Sequence, residues 1–210
     1  MSGTKQTFEN LPEEKQSRVL TEATQEFADH GYQEASINRI VARLGIAKGS
    51  VFKYFGSKAG LFEHIFSRAV ADFKGPLKAI RDTDGDFFSR IEQSFLAGGA
   101  FIDAHPQIYR IYLKMLFNEN FPLRGKFLQE IRQAHAKYLG ALVDDGIASG
   151  ELRPDLDREM TVFLLHTMLD RFLQNHAVPS QDTGIDPAPH TMKERARAMS
   201  EFLRHGLSAK

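Results

Sequence analysis

Cysteine is absent from all 210 residues, which excludes a disulfide framework, Cys-ligated zinc and thiol redox sensing together. No window offers about 18 uninterrupted apolar residues, the length needed to cross a bilayer. The opening MSGTKQTFENLPEEKQ has no apolar core of a signal peptide. A cytoplasmic protein with no membrane partner is therefore expected. Catalytic signatures are missing too: there is no H-E-x-x-H, no Gly-rich phosphate loop and no nucleophile elbow. A di-iron helical bundle would need Glu followed three residues later by His; no Glu here is, and the eight histidines are scattered. No cofactor, no metal and no enzyme are expected, with a helical-bundle enzyme kept as the alternative from another class. Net charge is missing as well, at a formal +0, which bears on any partner that must be bound electrostatically.

What the chain does have is 42% hydrophobic residues, enough for real cores, and one strongly biased stretch. Between Ala35 and Phe62 there are five Lys or Arg (Arg39, Arg43, Lys48, Lys53, Lys58) and no Asp or Glu. Acidic residues gather before Ala35 and in the C-terminal half. Within that stretch, SINRIVARLGIAKGSVFKYFGSK reads as two short helices. Ser36 caps the first, and Ile37, Ile40, Val41 and Leu44 give it one apolar face. Gly45 stops it, since a residue without Cβ accepts the left-handed conformation that closes a helix. The second runs from about Ala47 to Phe55, burying Ile46, Val51 and Phe55 and leaving Lys48, Ser50, Lys53 and Tyr54 outside. One helix that positions and a second that enters the major groove make a helix-turn-helix; a solvated basic hairpin is the alternative. On the second helix Lys48, Ser50 and Lys53 are the candidates for base edges, and Gly49 would let the backbone approach. Arg39 and Arg43 either steer or touch the backbone, or form a solvated face.

The string GIAKGSVFKYFGSKAGLF, preceded by a Ser-capped helix and an amphipathic helix ending in FADHGY, resembles the DNA-binding domain of the TetR family of one-component transcriptional regulators. The resemblance covers roughly residues 10 to 65 and beyond residue 75 is mainly one of helix layout. It implies an all-α fold: an N-terminal three-helix helix-turn-helix domain (1–57, with an arm over 1–10) and a C-terminal helical effector-binding and dimerisation domain (58–210). It further implies that Tyr54 and Lys58 clamp phosphates and that Ser36 contacts another. The departure is Ala47, where many members carry a Ser cap; its loss costs about 1 kcal/mol locally.

Along the rest of the chain, Pro12 opens an N-terminal helix whose stripe is Val19, Leu20, Ala23 and Phe27, ending at Gly31. Residues 1–10 read either as a frayed terminus or as an arm that reaches DNA. Ser57 caps a connecting helix over 58–73, with a break expected at Gly75-Pro76; in the resembled family this helix is the lever that ligand binding moves. Further helices are expected over Asp86 to Ala104, Pro106 to Asn118, Leu123 to Ser149, Asp157 to His176 and Thr191 to Leu207, with Val178 to His190 as a loop.

A single site of this size is too small for strong specificity, so a homodimer on double-stranded DNA is expected, reading half-sites about 34 Å apart or a multiple of that. Val162, Leu165, Leu169 and Phe172, with Met199, Phe202 and Leu203, are the expected dimer interface, or else they close the monomer core. For a small-molecule effector the candidates are Phe95, Phe101, Tyr109, Tyr112, Met115, Phe127, Ile131, His135, Phe163 and His166, whose aromatic walls suit an apolar or flat ligand but also suit plain core. His135 and His166 are candidate polar handles or satisfied histidines. The Gly98-Gly99 pair marks close helix packing or a kink. The expected function is a DNA-binding transcriptional regulator, a repressor released by a largely apolar or aromatic ligand; a constitutive DNA-binding protein without effector is the alternative.

Overall fold

The computed structural model describes residues 8–117, 123–178 and 190–209, and these form nine helices: α1 Glu13–Glu34, α2 Ile37–Leu44, α3 Lys48–Phe55, α4 Lys58–Asp82, α5 Phe87–Ala104, α6 Pro106–Phe117, α7 Arg124–Ala148, α8 Arg158–Ala177 and α9 Met192–Leu207. Among the described residues the one β pairing is an isolated bridge between Leu152 and Ser208. None of the described helices is long and apolar enough to cross a membrane. The chain divides into two compact units, Met1–Ala71 with Gln107–Gln129 and Asp72–Pro106 with Glu130–Lys210.

In the first unit the local signals act as expected. Gly31 leaves helical geometry inside α1 at φ 67°, Ser36 caps α2, and Gly45 closes α2 in the left-handed region at φ 67°. Ile40, Val51, Leu61 and Ala23 are fully buried, so α1 to α4 share one core. Phe27 meets Phe62 edge-on at 5.1 Å, and Phe66 meets Phe127 at 4.7 Å. Residues 8–10 depart from the expected arm. Phe8 is buried and its ring lies 4.7 Å from Phe55 and 5.3 Å from His64; an aromatic side chain gains too much by leaving water to stay frayed beside an apolar surface. Residues 1–7 lie outside the described part of the chain, as do 179–189 of the expected loop.

The break expected at Gly75-Pro76 does not occur, because α4 continues through Pro76 to Asp82. Proline's fixed φ is itself helical, and what it forfeits is one N–H bond to the carbonyl four residues back. Leu77, buried just past it, anchors the last turns.

In the second unit α5 packs against α8 and α9. Buried hydroxyls find partners there: Ser94 and Tyr138 share a hydrogen bond of 2.7 Å, and Ser200 donates to the Phe88 carbonyl at 2.8 Å. Of the two readings of Gly98-Gly99, close packing is the one observed. A Cβ at Gly98 would stand 2.7 Å from Leu173 Cδ2, and one at Gly99 would stand 1.8 Å from Met192 Cε. Gly98→Val should therefore lower stability by about 1–3 kcal/mol, the usual cost of overpacking, and adding Leu173→Ala should recover part of it. Urea melts of the single and double variants check this.

Candidate nucleic-acid interface

The reading head is held by one carboxylate. Glu26 lies on the inner stripe of α1 with Val19, Ala23 and Phe27 and is 1% exposed. Its Oε1 accepts from the Ser36 backbone N–H at 2.8 Å and from Arg39 Nε at 2.8 Å; its Oε2 accepts from Arg43 Nη1 at 3.0 Å. Arg43 also donates to the Glu22 carboxylate at 2.7 Å, and Arg39 Nη2 to the Glu34 carbonyl at 2.6 Å. Burial pushes the Glu26 carboxyl up, but the hydrogen bonds from Arg39, Ser36 and Arg43 outweigh it and bring the pKa down from 4.5 to about 2. Ser36 is thus occupied twice, since its hydroxyl also accepts from the Arg39 N–H at 3.5 Å to cap α2.

This redistributes the basic stretch. Arg39 and Arg43 clamp α2 onto α1, which neither expected reading included. Lys58, expected on a phosphate, donates to the carbonyls of Gln33 at 3.0 Å and Ala35 at 3.1 Å and sits 4.7 Å from the Tyr32 ring centroid. It satisfies orphan carbonyls at the end of α1, where a cation also suits the helix dipole. Lys48 and Lys53 remain: both are exposed on α3 and form no ion pair among the described residues. Gly49 is exposed with nothing within 4 Å of a Cβ, Ser50 and Tyr54 are half-buried, and Ala47, the N-cap residue of α3, supplies no side-chain cap. Sequence reasoning missed Phe52, 40% exposed on α3 with Lys48 Nζ 5.9 Å from its ring centroid. It also missed Glu26, although a charge on the stripe of Val19, Ala23 and Phe27 signals a buried partner.

The expected dimer and effector residues scatter. Leu165, Leu169, Phe172 and Leu203 are buried within the single chain, while Val162 and Met199 are half-buried and Phe202 is 67% exposed. Phe163, expected at the effector site, is 59% exposed beside Met160 and Leu164 on the outer face of α8. Helical spacing explains the swap: 160, 163 and 164 share one face and 165, 169 and 172 the other. Phe95 packs on Phe172 at 4.6 Å, and Phe127 and Met115 are fully buried, so these three are core in their own units. Tyr109 and Tyr112 lie together in the first unit at 5.5 Å. In the second unit Ile131 is half-buried, Phe73 bridges Phe101 and His135, and His135 in turn meets His166.

Removing the Glu26 charge while keeping its shape should loosen α2 from α1. Glu26→Gln is expected to cost about 2 kcal/mol at pH 7, discounted from a fully buried pair because both arginines are half-exposed. A depressed carboxyl stabilises above its unfolded value, so the gap between wild type and variant should be constant above about pH 4.5 and close as pH falls towards 2. Urea melts across that range measure it; a gap that ignores pH would contradict the clamp.

Comparison with known proteins agrees with this geometry. Residues 19–65 match the family model of bacterial regulatory proteins, tetR family, and residues 85–208 match that of the tetracyclin repressor-like C-terminal domain. A TetR family transcriptional regulator from Chloroflexus aurantiacus J-10-FL is 30% identical, with a TM-score of 0.73 and 98% of each chain covered. The HTH-type transcriptional repressor SCO4008 of Streptomyces coelicolor is 26% identical over 193 residues, 89% of this chain and 95% of that one. FadR from Bacillus subtilis in complex with stearoyl-CoA shares the fold at 15% identity, with a TM-score of 0.74 and 90% and 98% of the chains covered. With both its N-terminal and its C-terminal halves matched, and with the helix-turn-helix in place, the chain belongs to the TetR family of bacterial transcriptional regulators.

Proposed function

We propose that this regulator is a repressor that binds a palindromic operator as a homodimer and leaves it when a largely apolar ligand binds. The observation that carries the DNA-reading part is the division of labour among five basic residues: Arg39, Arg43 and Lys58 hold the head together, while Lys48 and Lys53 stand exposed on α3. Lys donates well to guanine O6 and N7 in the major groove, with Ser50, Gly49 and Tyr54 beside it. Few free cations mean few released counterions, so affinity should be modest per head and depend on pairing two heads. DNA reading is assigned to residues 1–57, and effector binding and dimerisation to residues 58–210. Working on chromosomal DNA puts the protein in the cytoplasm.

The exposed stripe Met160, Phe163 and Leu164 on α8, together with Phe202 on α9, supports pairing of two copies, because a monomer gains nothing by holding these side chains in water. A relative of the same fold that is complexed with stearoyl-CoA supports an apolar effector. Helix α4 contributes residues to both compact units and is the natural element to carry a ligand's effect to the reading head. A ligand that prefers the DNA-incompetent arrangement a hundredfold supplies about 2.7 kcal/mol of coupling.

The double variant Lys48→Ala/Lys53→Ala should lose its preference for DNA from upstream of its own gene by at least a hundredfold, with melting temperature and oligomeric state unchanged. Fluorescence anisotropy against that fragment and a scrambled one reads this out. Undiminished preference in the double variant would place the reading residues elsewhere.

A further inference from the structure

His135 on α7 and His166 on α8 face each other in the second unit with ring centroids 5.1 Å apart. The Nδ1 atoms of both are buried and have no hydrogen-bond partner. Aromatic rings flank them: Phe73 lies 6.2 Å from His135 and 4.9 Å from Phe101, and Phe101 lies 4.8 Å from His105. Burial, and secondarily the neighbouring His166, hold the His135 imidazole down to about 4, so it is neutral at physiological pH.

Elsewhere in this unit most buried polar groups are paired; among the described residues the other buried side-chain atom without a partner is Nε of Arg195, whose Nη1 donates to Asn175 at 3.0 Å. The Ser94 and Tyr138 hydroxyls meet each other and the Ser200 hydroxyl meets a carbonyl, while nearer the surface His176 meets the Asp103 carboxylate at 2.8 Å. Native chains leave only a few buried polar atoms orphaned, and here two stand side by side on different helices. Histidines kept only for packing would be better replaced by apolar side chains, which carry no unpaired nitrogen.

We propose that His135 and His166 form the polar end of the effector site and that they take a hydroxyl group, carried on an apolar or aromatic frame that lies against Phe73 and Phe101. This rests on the reading of the protein as an effector-responsive regulator. The chemistry selects the hydroxyl. A neutral imidazole presents either an N–H or a lone pair at Nδ1. A hydroxyl oxygen both donates and accepts, so one oxygen bridges the two rings when one Nδ1 carries a proton and the other presents its lone pair, at about 2.8 Å each. A carboxylate would bring a charge into surroundings that keep His135 neutral, and a bare hydrocarbon would leave both nitrogens unpaired.

The test compares two apolar frames, each with three ends: 1-naphthol, 1-naphthoic acid and naphthalene, and 1-decanol, decanoic acid and decane. Calorimetric titration of the full chain should show the hydroxyl member of at least one frame binding ten times more tightly than its acid and its hydrocarbon. In His135→Leu/His166→Leu that preference should vanish, while the melting temperature stays level or rises. In protein labelled with 15N-histidine the preferred alcohol should move the ring resonances of His135 and His166 and leave His176 in place. No hydroxyl preference in the wild type, its survival in the double variant, or a fall in melting temperature would each overturn the assignment. Operator binding by the same preparations separates the two readings. If it is intact while the hydroxyl preference is missing, only the histidine site fails; if the wild type binds no operator, the regulator reading fails.

Discussion

A carboxylate buried beneath two guanidinium groups is the constraint on which the reading head depends. Glu26 reaches from α1 to the first turn of α2, taking the Ser36 N–H and one bond from each of Arg39 and Arg43. Alone in an apolar core it would be protonated or would force the helices apart. With three donors converging on two oxygens it stays ionised and determines where α2 sits on α1. Because the turn at Gly45 is short and Val51 is fully buried, fixing α2 also fixes α3, which carries the exposed lysines. Lys58 works in the same direction from α4, tying its start to the last carbonyls of α1. The charge that looked available for DNA is largely the charge that makes the head rigid.

How much of this was legible in the sequence follows the range of the interaction concerned. The helix bounds around Ser36, Gly45 and Phe55 were readable because caps, glycine closure and apolar spacing are local. So was the family, through a string in which these local signals recur in one order. The clamp was not, because pairing Glu26 with Arg39 and Arg43 spans up to 17 residues and depends on the angle between two helices. Pro76 misled because a proline marks a helix end only when nothing beyond it is anchored, and Leu77 is. On α8 the excess of apolar residues was visible, but its phase was not. Leu165 and Leu169 proved to be core while Phe163 faces out, a difference of half a helical turn.

The two compact units divide the work in a way that composition alone hides. The first carries cations held at close quarters and a few left free. In the second, the buried hydroxyls of its described residues are paired, and His135 and His166 stand out because their two unpartnered nitrogens lie on adjacent rings. Aromatic residues at helical spacing, expected throughout as possible pocket walls, are mostly packing: Phe127 on Phe66, Phe95 on Phe172. What distinguishes the Phe73, Phe101, His135 and His166 group is unspent hydrogen-bonding capacity rather than aromatic content.

The central claim is that two copies of this head, each fixed by its own Glu26 clamp, read one symmetric sequence. Selection of sites from a pool of random duplex DNA, at two salt concentrations, tests it most directly. The account predicts enrichment of a two-fold symmetric sequence with half-site centres about 34 Å apart or a multiple of that, retained at the higher salt. Recovered DNA with no common sequence, bound only at low salt, would contradict it, because it would leave the exposed lysines of α3 with phosphate contact and nothing to read.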